Sequence, residues 1–328
     1  MGSAGGDWDA PMTDGSDAGG TAADLPGPVL TIVGPTAAGK SEVAIEVAAG
    51  LGAEIVSVDS TMVYRGMDIG TDKPSPDALS RVPHHLVDVV EPSHTMTVAE
   101  FQQRARAGIA GILGRGRTPL LVGGSGLYFR AVVDALEFPG TAPDVRARLE
   151  SEAEEAGPEA LFERLTSLDP AAAIRMEPAN VRRTVRALEV IELTGRPFSS
   201  FRTTWDEPRS IYRLTVAGLT HPRPELDRRI DARVDAQIER GLVDEVRRLV
   251  EAGFRSSLTS VQALGYAQVL AYLDGEMSLD EAIAETKRRT RRFARRQLSW
   301  FRADPRVEWF GSDPEGLVRR LTEAVPPR

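Results

Sequence analysis

The phosphate-binding loop pattern at residues 34–41 restricts the possible folds of this chain more than any other feature. It reads Gly-Pro-Thr-Ala-Ala-Gly-Lys-Ser, follows the apolar run 29–33 and precedes helically spaced apolar residues from Val43 to Leu51. A strand, a Gly-x-x-x-x-Gly-Lys-Ser loop and a helix in this order are typical of proteins that bind a di- or triphosphate. The alternative is a glycine-rich turn that binds nothing, but the presence of all these parts together argues against it.

The residues of this loop contribute to phosphate binding in different ways. The backbone N–H groups of such a loop point into a concavity at a helix N-terminus, where the dipole also favours negative charge. Lys40 adds a cation for a terminal phosphate, and the hydroxyl of Ser41 is placed to ligate Mg²⁺. We therefore predict a diphosphate- or nucleotide-binding site, with Mg²⁺ as its cofactor, formed by Gly34, Pro35, Thr36, Ala37, Ala38, Gly39, Lys40 and Ser41.

The order of apolar segments predicts an α/β fold, a P-loop NTPase-like parallel sheet core with a helical insertion domain. Strands are predicted at 26–33, 54–58, 119–122 and 212–218, with a turn into a further strand within 82–90 and a crossover helix at 98–113. Residues 26–139 and 209–328 would form the core with its C-terminal helices. Residues 140–208 carry helical patterns with prolines at the breaks and would form the insertion. The composition of residues 1–25 predicts a disordered tail.

Asp59 stands directly after the second predicted strand and is the first candidate for chemistry. Ligands of open α/β sheets lie at the carboxyl ends of the strands, so Asp59 should face the phosphate-loop cleft. The alternative is that Asp59 caps a following helix, since Asp-Ser is good capping chemistry. Position alone does not decide between them.

Glycines follow the strand at 119–122, where a nucleotide-hydrolysing motor usually carries an acidic residue. The run Gly123-Gly124-Ser125-Gly126 counts against an ATPase or GTPase and suits the close approach of a ligand. The adjacent pair His84 and His85 resembles a metal site. Neighbours on a strand point to opposite faces, however, so packing or hydrogen bonding is the favoured interpretation.

Two helical patterns are strongly basic although the net charge of the chain is −8. The first carries Arg182, Arg183 and Arg186 in its early turns, where positive charge opposes the helix dipole and favours a phosphate partner. The second, at 279–300, carries seven cations from Lys287 to Arg296 without an acid between them. A solvated face usually alternates in sign, so this run predicts a groove for a nucleic-acid backbone.

Composition excludes several other classes. The chain of 328 residues has no cysteine, so it has no disulfide, thiol nucleophile or cysteine-ligated zinc. No apolar run has the length of a membrane span, and the first residues lack a basic start and an apolar signal core. We expect a cytoplasmic protein, active as a monomer.

Taken together, these motifs resemble the bacterial tRNA dimethylallyltransferase family, which prenylates an adenine of the anticodon loop. The match extends from Val29 to Trp309. The most specific part is the segment 64–74, and the others are the phosphate loop, Val-Asp-Ser at 58–60, Pro-His-His-Leu-Val-Asp at 83–88, Gly-Gly-Ser-Gly-Leu-Tyr at 123–128, Arg-Ala-Leu-Glu-Val at 186–190 and Arg-Arg-Gln-Leu-Ser-Trp-Phe at 295–301.

The resemblance implies a role for each matching residue. Dimethylallyl diphosphate would lie where a kinase holds ATP, with its pyrophosphate on the loop. Asp59 would accept a proton from the adenine N6, and Ser125 would align that amine. The departing pyrophosphate would be neutralised by Lys40, by Ser41 with Mg²⁺ and by Arg233. The residues implied to contact tRNA are Asp59, Ser60, Thr61, Met62, Ser125, Arg146, Arg182, Arg183, Arg186, Gln262, Gly265, Tyr266, Arg292 and Arg295. Near the last part of this set the match is looser, because some relatives carry Arg where this chain has Gln262 and Ala267.

Three other functions share some of these motifs. A phosphate-loop kinase of a small metabolite gives no use for the arginine-rich helix. A tRNA- or nucleotide-binding protein without catalysis leaves Asp59 at the strand end unexplained. Prenylation of free AMP within the same family is disfavoured by the helical insertion and the basic C-terminal helix. The family leads us to expect adenine 37, beside the anticodon, in tRNAs with adenine at position 36.

Overall fold

A parallel sheet of six strands lies at the centre of the computed structural model, which describes residues 25–202 and 208–325. The strands are β1 (Val29–Val33), β2 (Glu54–Ser57), β3 (His84–His85), β4 (Pro119–Gly123), β5 (Leu214–Gly218) and β6 (Val307–Trp309). They lie in the order β3-β2-β4-β1-β5-β6, and every neighbouring pair is parallel. Thr31 at the centre of β1 is opposite Leu121 on one side and Val216 on the other. The predicted α/β fold with a parallel sheet is confirmed.

Helices cover both faces of this sheet. Before the insertion they are α1 (Lys40–Leu51), α2 (Pro76–Arg81), α3 (Val98–Gly114) and α4 (Gly126–Val133). The segment between β4 and β5 continues with α5 (Pro143–Ala156), α6 (Pro158–Leu168), α7 (Pro170–Ala173), α8 (Val181–Thr194) and a 3₁₀ helix at Phe198–Arg202. After β5 come α9 (Arg223–Glu239), α10 (Leu242–Glu251), 3₁₀ turns at Phe254–Ser256 and Ser260–Gln262, α11 (Tyr266–Leu273), α12 (Leu279–Arg302) and α13 (Pro314–Glu323).

The alternation of side chains along β1 divides the core in two. Leu30 and Ile32 pack on one face with apolar residues of α1 and α13. Val29 and Val33 pack on the other face with apolar residues of α3, α4, α10 and α11. Because successive side chains of a strand point to opposite faces, a strand buried on both sides must be apolar at nearly every position. This explains why the strand before the phosphate loop is a continuous apolar run.

Helices α5 to α8 have a hydrophobic core of their own, which includes Leu149, Leu165, Val185 and Leu188. The buried carboxylate of Glu189 joins α8 to the start of α5, accepting hydrogen bonds from the Ala142 backbone N–H and from an arginine of each helix. The assignment of residues 140–208 to a separate domain remains a prediction. The predicted tail, residues 1–25, lies outside the described residues apart from Leu25.

The strand predicted within residues 82–90 is shorter and earlier than expected, because only His84 and His85 pair with β2. Leu86 and Asp88 have left-handed backbone angles, with φ of 63° and 55°, and such residues end a strand. The histidines make hydrogen bonds within the protein: Nδ1 of His84 lies 2.8 Å from the carbonyl oxygen of Val82, and Nε2 of His85 lies 2.7 Å from Glu54. Within the described ranges, no helix is long and apolar enough to cross a membrane.

Candidate active site at the phosphate loop

A cavity of about 1070 Å³ opens at the carboxyl ends of the strands and brings together most of the predicted site residues. Four stretches that are distant in sequence form much of its wall, namely the phosphate loop from Thr36, the segment after β2 at 59–62, the loop 70–75, and Gly123 to Ser125 after β4. Side chains of α9 and α12 and the turn around Gln262 complete the wall. The prediction that Asp59 faces the phosphate-loop cleft is confirmed.

The phosphate loop has the sharp turns that its glycines predict. Gly39 adopts a left-handed conformation with φ of 86° immediately before α1, and Ala37 also has a positive φ of 63°. Gly34 does not line the cavity. A Cβ at Gly34 would lie 2.1 Å from the carbonyl oxygen of Leu219, so this glycine allows β1 to pack against the chain that follows β5.

Lys40 is held over its own loop, where its ammonium group donates a 2.6 Å hydrogen bond to the carbonyl oxygen of Pro35. Burial and the neighbouring guanidinium of Arg233 lower the pKa of Lys40 to about 8, although the carboxylate of Asp59 acts in the opposite direction. An anion in this cavity would favour the protonated form. The arrangement therefore suits a ligand that brings negative charge.

Asp59 does not cap a helix, because the next helix in the chain begins only at Pro76. Its Oδ1 accepts two hydrogen bonds from Thr61, at 2.8 Å from the backbone N–H and at 2.6 Å from the hydroxyl. Within the described part of the chain, Oδ2 accepts none. The capping interpretation is wrong, and one carboxylate oxygen remains available to the cavity.

Ser125 lines the same cavity at the start of α4, after the strand that pairs with β2. Its hydroxyl makes no hydrogen bond to another described residue and does not cap the helix. Ser41, in the first turn of α1, likewise has a hydroxyl without a partner among the described residues. Both hydroxyls are free to bind a ligand.

Arg233 reaches the phosphate loop from α9. Its Nη1 donates a 2.8 Å hydrogen bond to the hydroxyl of Thr36, and its Nε lies 2.8 Å from Oδ2 of Asp72. The other oxygen of Asp72 binds Arg240. The predicted proximity of Arg233 to the loop is confirmed, but no sequence pattern indicates that Asp72 is its partner.

Helix α12 packs directly on the site through Gln297 and Trp300. The side-chain oxygen of Gln297 accepts a 2.9 Å hydrogen bond from the backbone N–H of Thr36. A Cβ at Gly124 would lie 2.3 Å from the amide nitrogen of Gln297, and one at Gly126 would lie 2.7 Å from the Trp300 ring. Helix α12 therefore approaches Gly124 and Gly126 closely, while the expectation that glycines after this strand also admit a ligand stays a prediction.

The arginine-rich run of α12 is partly neutralised. Lys287 and Arg291 pair with Asp235 and Asp231 of α9, while Arg288 and Arg289 both bind Glu285. Hydrogen bonds from these two arginines lower the pKa of Glu285 to about 2. No described acid pairs with Arg292, Arg295 or Arg296, all of which are exposed. The basic surface is therefore smaller than the sequence predicts.

The arginines around α8 also differ from one another. Arg146 and Arg186 both donate to Glu189, and Arg186 also donates to the carbonyl oxygens of Pro139 and Gly140. Although burial opposes its ionisation, these hydrogen bonds hold the pKa of Glu189 below its usual value. Arg182 and Arg183 are exposed and pair with no other described residue. The predicted phosphate contacts of Arg146 and Arg186 therefore compete with bonds inside the insertion.

Tyr266 and Gly265 do not have the surface that a direct tRNA contact requires. The side chain of Tyr266 is fully buried, its hydroxyl donates a 2.6 Å hydrogen bond to Glu245, and it accepts one from the backbone N–H of Gly70. Gly265 is buried as well. Both predicted contacts are corrected to packing roles, whereas Gln262 is exposed and lines the cavity.

The segment 64–74, the most specific of the sequence motifs, is a loop held by two buried charges. The ammonium group of Lys73 donates to the carbonyl oxygen of Tyr64 and to the carboxylates of Asp68 and Asp88. The carboxylate of Glu245, which is 2% exposed, accepts the backbone N–H groups of residues 68–70. Sequence reasoning did not identify Glu245, because an acid in the first turn of a helix usually only favours the dipole.

Two family descriptions match the chain: "IPP transferase" over residues 62–304 and "Isopentenyl transferase" over residues 27–88. Among curated relatives, the tRNA dimethylallyltransferase of Thermobifida fusca is 55% identical over 302 residues, covering 90% of this chain and 94% of the relative. The tRNA dimethylallyltransferase of Streptomyces coelicolor is 56% identical over 281 residues, covering 86% of this chain and 89% of the relative.

Solved structures resemble this chain over a similar extent. The full-length tRNA isopentenylpyrophosphate transferase of Bacillus halodurans aligns with a TM-score of 0.67 and 41% identity, covering 90% of this chain and 96% of that protein. A eukaryotic dimethylallyltransferase acting on tRNA aligns with a TM-score of 0.73 and 26% identity, covering 87% of this chain and 73% of that protein.

Proposed function

Because the chain belongs to the tRNA dimethylallyltransferase family, we propose that it transfers the dimethylallyl group of dimethylallyl diphosphate to N6 of adenine 37 in tRNA. This enzyme is a P-loop NTPase-like α/β protein that transfers a dimethylallyl group to tRNA. The proposed donor and target atom rest on one observation: a single cavity is lined by the phosphate loop, by Asp59 and by Ser125. A diphosphate and an adenine can meet there.

In the reaction, the bond between the allylic carbon and the diphosphate oxygen breaks, and the electron pair leaves with pyrophosphate. The N6 nitrogen of adenine forms the new bond to that carbon and loses a proton. The transition state has cationic character at the allylic carbon and growing negative charge on the leaving group. Stabilising that negative charge and excluding water are the main tasks of the site.

The leaving group would be held by the phosphate loop. Lys40 exchanges its bond to the carbonyl oxygen of Pro35 for a phosphate oxygen, and Arg233 adds a second cation from α9. The backbone N–H groups at the start of α1 and the positive end of the helix dipole would both favour an anion there. These groups act most strongly where charge develops during the reaction.

The amine would be prepared by Asp59 and Ser125. Thr61 holds Oδ1 of Asp59 through two hydrogen bonds, which orients the carboxylate and leaves Oδ2 for the proton of N6. The free hydroxyl of Ser125 can align the amine from the other side. A positioned base is worth about 10²–10⁴ in rate.

Mg²⁺ fits this site as a partner of the diphosphate, and we propose it as the cofactor. No group of three or more acidic or histidine side chains in the described ranges could hold a metal alone. Mg²⁺ is usually bound by one or two protein oxygens, substrate phosphates and water, and the hydroxyl of Ser41 is available for that role. When bound, the ion would supply positive charge to the leaving diphosphate.

The tRNA would approach from the side of α12 and the insertion. The exposed arginines without acidic partners, Arg182, Arg183, Arg292 and Arg295, are suited to backbone phosphates, and Gln262, Ser60, Thr61 and Met62 line the cavity where a base would enter. An anticodon-loop base is unstacked at lower cost than a base in a duplex. We further propose that the enzyme acts in the cytoplasm as a monomer.

The test is to incubate the protein with Mg²⁺, dimethylallyl diphosphate and unmodified tRNA, digest the tRNA and measure N6-prenylated adenosine by mass. Asp59→Ala should lower the rate at least about 10²-fold, whereas Asp77→Ala, which changes an exposed acid of α2, should not. Sequencing of the modified tRNA tests the position. Full activity of Asp59→Ala would remove this residue as the base. Absence of product, together with ATP consumption on a small alcohol, would favour the kinase alternative.

A further inference from the structure

We propose that Asp72 is a positioning residue that fixes the guanidinium group of Arg233 beside the phosphate loop. The inference rests on the proposed function, in which Arg233 faces the leaving diphosphate. Asp72 belongs to the loop 64–74 and is outside every set of residues for which we predicted a role. It lines the same cavity as Lys40 and Arg233.

The geometry divides the donors of Arg233 into two groups. Nε lies 2.8 Å from Oδ2 of Asp72 in an ion pair, and one N–H of Nη1 donates a 2.8 Å hydrogen bond to the hydroxyl of Thr36. Of the five N–H donors of a guanidinium, the second one on Nη1 and the two on Nη2 have no partner among the described residues. Two fixed points on a planar group define its orientation. The remaining donors therefore have a set direction, as bidentate recognition of phosphate requires.

Electrostatics explains why Arg233 needs such a partner. Arg233 is close enough to Lys40 to lower the pKa of its ammonium group, so the two cations repel each other when the cavity holds no anion. A flexible arginine would turn towards solvent, and the side chain of Arg233 is 27% exposed. The carboxylate of Asp72 opposes this movement and keeps both cations on the same loop.

Asp72 can act as an anchor because its own backbone is held. It has a left-handed φ of 54°, and its N–H donates a 3.2 Å hydrogen bond to the carbonyl oxygen of Ile69. The preceding residues 68–70 donate their N–H groups to the buried carboxylate of Glu245. A continuous series of contacts therefore connects the buried carboxylate of Glu245 with Asp72 and Arg233.

A simpler interpretation is that Asp72 makes an ordinary surface ion pair with Arg240, of the kind that contributes little. The two interpretations predict opposite signs for Asp72→Asn. If Asp72 is only a charge near an anion site, its removal reduces repulsion and pyrophosphate binds more tightly. If Asp72 positions Arg233, its removal weakens pyrophosphate binding although the site has become more positive.

The experiment is a double-mutant cycle with inorganic pyrophosphate and Mg²⁺ as the ligand. Calorimetry measures the dissociation constant for the wild type, Asp72→Asn, Arg233→Gln and the double variant. We expect Asp72→Asn to weaken binding about 10-fold in the wild-type background, a coupling of ordinary size. In the Arg233→Gln background the same change should be neutral or should tighten binding. Asp77→Asn, at an exposed acid of α2 whose carboxylate has no partner among the described residues, is the control.

A second measurement separates positioning from a loss of structure. Asp72→Asn should keep the unfolding temperature of the wild type and the KM for tRNA, while kcat for prenyl transfer falls by about 10-fold or more, since small displacements of catalytic groups have large effects. Tighter pyrophosphate binding by Asp72→Asn, or equal weakening in both backgrounds, would refute the positioning role of Asp72. Neither result would count against the proposed diphosphate site. If the wild type binds no pyrophosphate, the proposed diphosphate site fails, and this inference fails with it.

Discussion

Gln297 and Thr36, which are 261 positions apart in the chain, are joined by a 2.9 Å hydrogen bond from the backbone N–H of Thr36 to the side-chain oxygen of Gln297. This bond connects the arginine-rich helix α12 to the phosphate loop. Because Gln297 is 6% exposed and also fills the space above Gly124, it fixes the distance between the two surfaces. The site proposed for the diphosphate and the helix proposed to bind tRNA are therefore in direct contact.

Gln297→Leu should weaken pyrophosphate binding several-fold. Leucine retains most of the volume but leaves the partly buried N–H of Thr36 without its acceptor, which costs at most about 1–3 kcal/mol and removes the bond that holds the loop against α12. Calorimetric titration with pyrophosphate and Mg²⁺ measures the effect. Ser299→Ala, on the exposed side of α12, serves as the control. Equal affinities of Gln297→Leu and the wild type would show that the loop holds its shape without this bond.

Binding of pyrophosphate should be accompanied by proton uptake near pH 8. The pKa of Lys40 is lowered to about 8 in the free protein by burial and by Arg233, and an anion raises it again because it stabilises the charged form. The affinity should therefore fall as the pH rises above about 8. Calorimetry in buffers of different ionisation enthalpy measures the uptake. Lys40→Met should remove it, and Arg233→Gln should shift the transition to higher pH. Uptake that is unchanged in Lys40→Met would assign the proton to another group.

Glu245→Gln should destabilise the protein by about 1–3 kcal/mol, because one amide oxygen cannot replace a carboxylate that accepts several N–H groups and the hydroxyl of Tyr266. The free energy of unfolding in denaturant measures the change. Asp244→Asn is a matched control, since Asp244 is the preceding residue, is exposed and, among the described residues, forms an ion pair only with Arg247. A loss of equal size in both variants would argue against a special role for Glu245.

Arg292→Ala and Arg295→Ala should each reduce the salt dependence of tRNA binding, because these arginines have no described acidic partner. Each lost phosphate contact should lower the slope of log K against log salt by about 0.7–0.9. Arg288→Ala and Arg289→Ala are matched controls on the same helix, and we expect smaller changes because both bind Glu285. Slopes measured by filter binding at several salt concentrations decide the question. Identical slopes for all four variants would show that pairing with Glu285 does not limit these contacts.

The sequence predicted those parts of the fold that depend on short-range patterns. The apolar runs, the phosphate loop and Asp59 at a strand end follow from local periodicity and from the rule for parallel sheets. The strand at β3 was misplaced because the chain takes left-handed conformations at Leu86 and Asp88, within the mostly apolar run 86–90, which no periodicity indicates. The short strand β6 is completed only by pairing with β5, a contact that is invisible in sequence.

The types of residues in the candidate site were predicted from the sequence. Which of these side chains pair with each other was not. Lys40, Ser41 and Arg233 were identified by motif or by resemblance. Which arginines are free and which are paired depends on acids of other helices, such as Asp231 and Asp235. Likewise, the glycines after β4 indicate a close approach without indicating that the approaching group is α12. Contacts between distant elements require the three-dimensional structure.

The order of the sheet also has a consequence for synthesis of the protein on the ribosome. Strand β1 is the first to emerge, but its two neighbours are β4 and β5, and β5 follows the whole helical segment. Until residue 218 has left the exit tunnel, one edge of the most buried strand has no partner from this sheet. Unpaired apolar edges are the surfaces on which nascent chains associate wrongly. The newly made chain therefore needs protection for most of its translation.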